Sequence, residues 1–144
     1  MRLLGLDHGS RRIGIAVADT ETGMAFARPA LRRRGGDADI AALVDLARRE
    51  GIDRVVMGLP RNMNGSEGSQ ADAARLFSGQ LAAAGLDVVH LDERLTSWQA
   101  AEGLAAAGRR VDRRSGELDS AAARLILQEY LDAQTTLGRG TEGR

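Results

Sequence analysis

A short apolar run that closes on a carboxylate and turns straight back constrains this chain most: Leu3-Leu4-Gly5-Leu6-Asp7, then His8-Gly9-Ser10-Arg11-Arg12, then Ile13-Gly14-Ile15-Ala16-Val17-Ala18-Asp19. It reads as a strand from Arg2 to Asp7, a tight glycine-containing turn, and a second strand from Ile13 to Asp19 returning beside the first. On the second strand Ile13, Ile15 and Val17 share one face, and Gly14, Ala16 and Ala18 share the other. The small-residue face leaves room for a helix or a substrate to approach closely. Asp7 poses the question. A buried, unpaired carboxylate costs several kcal/mol, so an arginine, backbone N–H groups or a metal ion must answer it.

The rest of the chain extends this hairpin into a sheet. Thr20-Glu21-Thr22-Gly23 is a turn, and Met24 to Leu31 is a third strand whose Pro29 marks an edge. Asp37 is the expected N-cap of a helix with Ile40, Leu43, Val44 and Ala47 on one face, ending near Gly51. Val55 to Leu59 is apolar throughout, as suits a strand buried on both faces of a parallel sheet. The polar segment Pro60 to Ser69 follows it, longer than most α/β connections and at the carboxyl end of a strand, where ligands sit in open α/β sheets. A second helix covers about Gln70 to Ala84, with Phe77 and Leu81 inward. Leu86 to Leu91 is another buried strand, running into Asp92-Glu93-Arg94. Thr96-Ser97-Trp98-Gln99 fits a capping box and opens a third helix that Gly108 closes. An arginine-rich loop, Arg109 to Gly116, precedes a last helix from about Glu117 to Ala133. The order βββαβαβαα predicts one α/β domain over 1–134: a five-stranded mixed sheet, three antiparallel strands then two parallel ones, with helices on both faces. Residues 135–144 are expected to be a disordered tail.

Composition narrows the chemistry. A chain of 144 residues, 43% hydrophobic and 28% charged, is long enough to bury a core. The absence of cysteine removes disulfides, thiolate catalysis and cysteine-based zinc sites. No apolar run approaches membrane-spanning length, so a cytoplasmic protein with no membrane partner is expected. Net charge is zero, which argues against a generic nucleic-acid binder. The basic residues are all arginine, however, clustered at Arg11-Arg12, Arg32-Arg33-Arg34, Arg109-Arg110 and Arg113-Arg114. Guanidinium forks pair bidentately with phosphate, so these clusters are either phosphate contacts or solvated surface.

Acids sit at three places where elements end or begin. Asp7 ends the first strand, Asp92 and Glu93 end the last, and Asp119 lies in the first turn of the final helix on the face of Ala122, Ala123, Ile126 and Tyr130. Each has an ordinary explanation, as turn former, partner of Arg94, or helix-dipole complement. If the first strand is central and pairs with the strand ending at Asp92-Glu93, the acids gather at one sheet edge. Carboxylates without cysteine favour a hard cation held by oxygen, as in two-metal phosphoryl-transfer sites. Strand parity does not choose between Asp92 and Glu93, because a buried parallel strand is apolar on both faces. His8 reads as a turn residue, His90 as a hydrogen-bonded core residue, and Trp98 and Tyr130 as packing.

Four ordered motifs then resemble the YqgF/RuvX family: Gly5-Leu6-Asp7-x-Gly9-x-x-Arg12-Ile13-Gly14-Ile15-Ala16; Gly58-Leu59-Pro60-x-x-Met63-x-Gly65; Asp92-Glu93-Arg94-Leu95-Thr96; and Asp119-x-Ala121-Ala122 with Ile126-Leu127-Gln128. The family is described both as Holliday junction resolvases and as nucleases maturing pre-16S ribosomal RNA. The resemblance implies an RNase H-like fold, Mg²⁺ or Mn²⁺ dependence with two ions, and metal-holding catalytic acids at Asp7, Glu93 and Asp119, leaving Asp92 in support. Arg11-Arg12 stands where the family commonly has Lys-Arg. On this basis the chain is expected to be a metal-dependent endonuclease, with Ser10, Arg11, Arg12, Arg61, Asn62 and Arg94 contacting nucleic acid. Holliday junction resolution is the leading expectation, and its two symmetric nicks predict a homodimer. Processing of pre-16S rRNA is the alternative. Two further readings carry less weight. Asp7-x-Gly9-Ser10 also resembles the phosphate hairpin of actin-like and sugar-kinase ATPases, but those pair two such domains. A non-catalytic nucleic-acid module would face repulsion between three carboxylates and phosphate.

Overall fold

A computed structural model describes residues 1–59, 69–92 and 117–142. Its elements are β1 (Arg2–His8), β2 (Arg12–Asp19), β3 (Met24–Arg32), α1 (Gly36–Glu50), β4 (Arg54–Leu59), α2 (Ser69–Ala83), β5 (Val88–Asp92) and α3 (Glu117–Glu142). The helix expected from Thr96 to Gly108, with Trp98, and the loop Arg109 to Gly116 lie outside the described residues, as does nearly all of the segment Pro60 to Ser69.

The five strands form one mixed sheet in the order β3-β2-β1-β4-β5. The β1–β2 and β2–β3 pairs are antiparallel, and β1–β4 and β4–β5 are parallel, as the sequence predicts. The strand carrying Pro29 is an edge strand, where a missing N–H leaves no ladder bond unmade. One expectation is corrected. β1 is central, but β5 does not pair with it; β4 lies between them. Two strand spacings of about 4.8 Å therefore separate β1 from β5.

Alternation along the strands builds two cores. Leu4, Leu6, Ile13, Ile15, Val17, Val55 and Met57 are buried with Leu43 of α1 and Phe77 and Leu81 of α2. Leu3, Ala16, Ala18, Ala25 and Val56 are buried with Ala123, Ile126, Leu127 and Leu131 of α3 on the other face. Helices cover both faces, and the small-residue face of β2 is the face α3 occupies. At Gly5 an added Cβ would lie 3.0 Å from the Ala123 carbonyl oxygen and 3.0 Å from the Leu127 Cβ, so that strand position must stay small for the helix to seat.

Caps and anchors differ in detail from the local reading. Gly51 ends α1 in the left-handed conformation, φ 65°, as a C-terminal glycine should. At the other end the N-cap is Gly35, not Asp37. Asp39, one turn in, accepts hydrogen bonds from the Arg34 N–H at 2.9 Å and the Gly35 N–H at 3.3 Å. Gln128 of α3 ties the helix to the β2–β3 hairpin: its Oε1 accepts from the Ala25 N–H at 3.1 Å and its Nε2 donates to the Gly23 carbonyl at 2.9 Å. α3 continues to Glu142, past Ala133 and through the stretch expected to be a disordered tail; once a helix is nucleated, each added residue brings its own backbone bond.

Candidate active site

The sheet brings one end of β1, β4 and β5 to the same edge, because the three run parallel. Asp7 stands beside Gly58, and Leu59 beside Asp92. On its other side Asp7 is paired with Gly14 of β2. Asp7 has the parity of Leu3 and Gly5, so it lies on the sheet face that α3 covers.

The first turn of α3 docks at the same place. A Cβ on Gly14 would overlap the Asp119 carbonyl and come within 2.9 Å of the Ser120 nitrogen. Ser120 is buried, and its Oγ accepts a hydrogen bond of 3.4 Å from the Ile15 N–H. This occurs where the β2–β3 register shifts between Ile13 and Ile15. Asp119 is thus held one residue from a fixed contact, over the strand residue directly opposite Asp7. Burial pushes the Asp119 carboxyl up, and the Arg12 guanidinium acts in the opposite direction.

Of the expected acids, Asp7 and Asp119 converge at Gly14; Glu93 lies outside the described residues. Among the described residues no three acidic or imidazole groups form a cation-binding group. The fit of a divalent ion therefore rests on the donors present. They are carboxylate oxygens alone, which suit Mg²⁺ or Mn²⁺, and burial disfavours ionisation of one of them, which a cation would relieve.

His8 departs from expectation. It is the last residue of β1 rather than a turn residue, and alternation sends it to the face opposite Asp7. There its ring lies 5.0 Å from Phe77 and its Nε2 is 3.0 Å from Arg33 Nη1. Burial first, then the Arg33 charge, lowers its pKa to about 4, so the imidazole is neutral near pH 7. His90 is hydrogen-bonded as expected, its Nε2 lying 2.6 Å from Ser78 Oγ, but it is exposed rather than a core residue, because β5 is an edge strand. Tyr130 packs and also accepts a hydrogen bond from Arg54 Nη1 at 3.0 Å.

Among the arginines, Arg33 is committed internally. Its Nε contacts Asp39 Oδ2 at 3.1 Å, its Nη1 donates to the Gly9 carbonyl at 3.1 Å, and its guanidinium lies over Phe77 at 5.2 Å. Asp39 is 1% exposed. Burial would raise its carboxyl, but the Arg34 N–H, the Arg33 side chain and the Gly35 N–H hold it below the usual range. Asp39 escaped the sequence reading because an acid in a first helical turn needs no tertiary partner. Ser10, Arg11 and Arg12, with Arg32 and Arg33, line a cavity of about 550 Å³ at this sheet edge. Arg61, Asn62 and Arg94 lie outside the described residues.

A family model described as "RuvX: Holliday junction resolvase" matches residues 1–133. The chain belongs to the RuvX family. Among curated proteins, this RuvX chain is 47% identical over 133 residues to one from Moorella thermoacetica named "Putative pre-16S rRNA nuclease", covering 92% of this chain and 95% of that one. A protein of the same name from Anaeromyxobacter dehalogenans is 45% identical over 133 residues, covering 92% and 97%. The fold is that of the solved RuvC from T. thermophilus in complex with a Holliday junction substrate, with TM-score 0.54 at 18% identity over 94% and 96% of the two chains. The fowlpox virus resolvase gives TM-score 0.57 at 11% identity over 93% and 99%. The RNase H-like fold is therefore established, and the RuvX chain is a nuclease rather than an actin-like ATPase.

Proposed function

We propose that this RuvX protein is a divalent-metal-dependent endonuclease whose substrate is precursor ribosomal RNA. The observation that carries the catalytic part is the seating of Asp119 against Gly14, directly across the ladder from Asp7. Asp7 and Asp119 would hold the metal with Glu93 as third acid. The choice of Glu93 over Asp92 follows from the family motif Asp92-Glu93-Arg94-Leu95-Thr96. Two bound ions would supply an activated water and charge for the leaving oxygen. The chain's own contribution is to hold the acids rigidly: the Gly14 contact and the Ser120 hydrogen bond fix Asp119, and the β1 ladders fix Asp7. Ser10, Arg11 and Arg12, with Arg61, Asn62 and Arg94, would position the phosphate backbone.

The substrate reading departs from the first expectation. Relatives at 47% and 45% identity bear the rRNA nuclease name, whereas the junction resolvases match at 18% or less. Trimming an rRNA precursor needs one active site per cut, so the homodimer that junction resolution demands is not required. The test presents a 16S precursor and a four-way junction to the purified protein with Mg²⁺ and with Mn²⁺, beside Asp7→Asn. Faster cutting of the precursor, lost in Asp7→Asn, is expected. Preference for the junction with paired symmetric nicks would overturn the substrate, and equal cutting by Asp7→Asn would overturn the site.

A further inference from the structure

We infer that Arg11 and Arg32 form a clamp for a non-scissile phosphodiester of the substrate strand, in the cavity beside the acid pair. This rests on the nuclease reading and deepens it. The first observation is the register. Arg12 of β2 stands directly opposite Arg32 of β3, and like charges facing each other across a ladder are destabilising. An anion placed between them would relieve that repulsion. The second is what the cavity contains. Among the described residues its lining is Ser10, Arg11, Arg12, Arg32 and Arg33, none of them a carboxylate or an aromatic ring. Guanidinium and hydroxyl donors recognise phosphate oxygens, whereas a nucleobase would want a ring to stack on. The third is how the arginines are divided. Arg33 is tied to Asp39 and Gly9, and its backbone N–H bonds the Arg11 carbonyl at 2.9 Å, which holds the turn and the end of β3 together. Arg11 and Arg32 are exposed and, among the described residues, carry no ion pair. Arg33 thus builds the cavity, while Arg11 and Arg32 furnish its charge. Arg12 links the cavity to the acids, since it lies two residues before Gly14 on the same face of β2 and Gly14 pairs with Asp7. A strand with one phosphate at the acids would lay a neighbouring phosphate here. Such a grip is independent of base sequence and selects for backbone path.

The test measures binding of a labelled oligonucleotide as a function of salt, without divalent metal so that no cutting occurs. Each lost phosphate contact lowers the slope of log K against log salt by about one. Arg32→Ala and Arg11→Ala should each show that loss, equally for oligonucleotides of different sequence, while the exposed Arg49→Ala on α1 leaves the slope unchanged. With metal present, Arg32→Ala should raise KM with kcat held. Unchanged slopes in both variants, or a loss that depends on base sequence, would overturn the clamp even if the protein cuts normally. A wild-type protein that shows the expected slopes but cuts nothing with either metal would overturn the nuclease reading and leave the clamp standing. Absence of any binding by wild type without metal would overturn the clamp, and the nuclease reading would then stand or fall on the cutting assay with metal.

Discussion

The Asp119 carbonyl rests against the α-carbon of Gly14, so closely that no side chain fits between them. A proposed catalytic acid on the last helix and the strand residue opposite another are in this way one structural unit. The atoms that a methyl at Gly14 would meet are backbone, which cannot rotate aside.

Gly14→Ala should therefore destabilise the fold by about 3 kcal/mol, at the severe end for overpacking, and displace Asp119. Urea unfolding would report the first effect and cleavage assays the second. Gly79→Ala is the contrast. Gly79 lies inside α2 with nothing near its missing Cβ, so alanine should stabilise by about 0.8 kcal/mol.

Asp119→Asn should abolish cleavage, by more than the 10–100-fold that loss of an outer-shell partner costs. Without metal it should also raise thermal stability at neutral pH, because burial disfavours the ionised carboxyl. Added Mg²⁺ or Mn²⁺ should raise the melting temperature of wild type more than that of the variant. A variant less stable than wild type without metal would contradict this.

Arg33→Met leaves Asp39 buried without its guanidinium, at a cost of about 3 kcal/mol by analogy with other broken buried pairs. The pH dependence carries a sign. The Asp39 carboxyl in the folded protein titrates below its ordinary value of 3.8, so its contribution is complete above that value and is lost as pH falls through the folded pKa. Stability against urea, followed down from pH 5, should fall more steeply in wild type than in Asp39→Asn.

Ser120→Ala removes the acceptor of the buried Ile15 N–H and should cost about 1 kcal/mol. Because this bond holds the first turn of α3 on β2, activity should fall as well, while an exposed change such as Arg49→Ala affects neither.

Sequence alone determined the strand and helix order of the described residues, the antiparallel-then-parallel sheet, the edge placement of Pro29 and the small-residue face of β2, since periodicity and turn chemistry act between near neighbours. It also singled out Asp7 and Asp119, because an acid ending an apolar strand or facing an apolar helix stripe is costly without a partner. Tertiary structure decided the rest. It placed β4 between β1 and β5, turned His8 to the face opposite Asp7, drew Arg33 inward to Asp39 and set Asp119 on Gly14. These contacts join distant positions, 105 residues apart for Ile15 and Ser120. Arg32, Arg33 and Arg34 show why local pattern falls short there: three identical neighbours in sequence take different roles, because only the packing of α1 and α2 against the sheet buries a carboxylate beside the middle one.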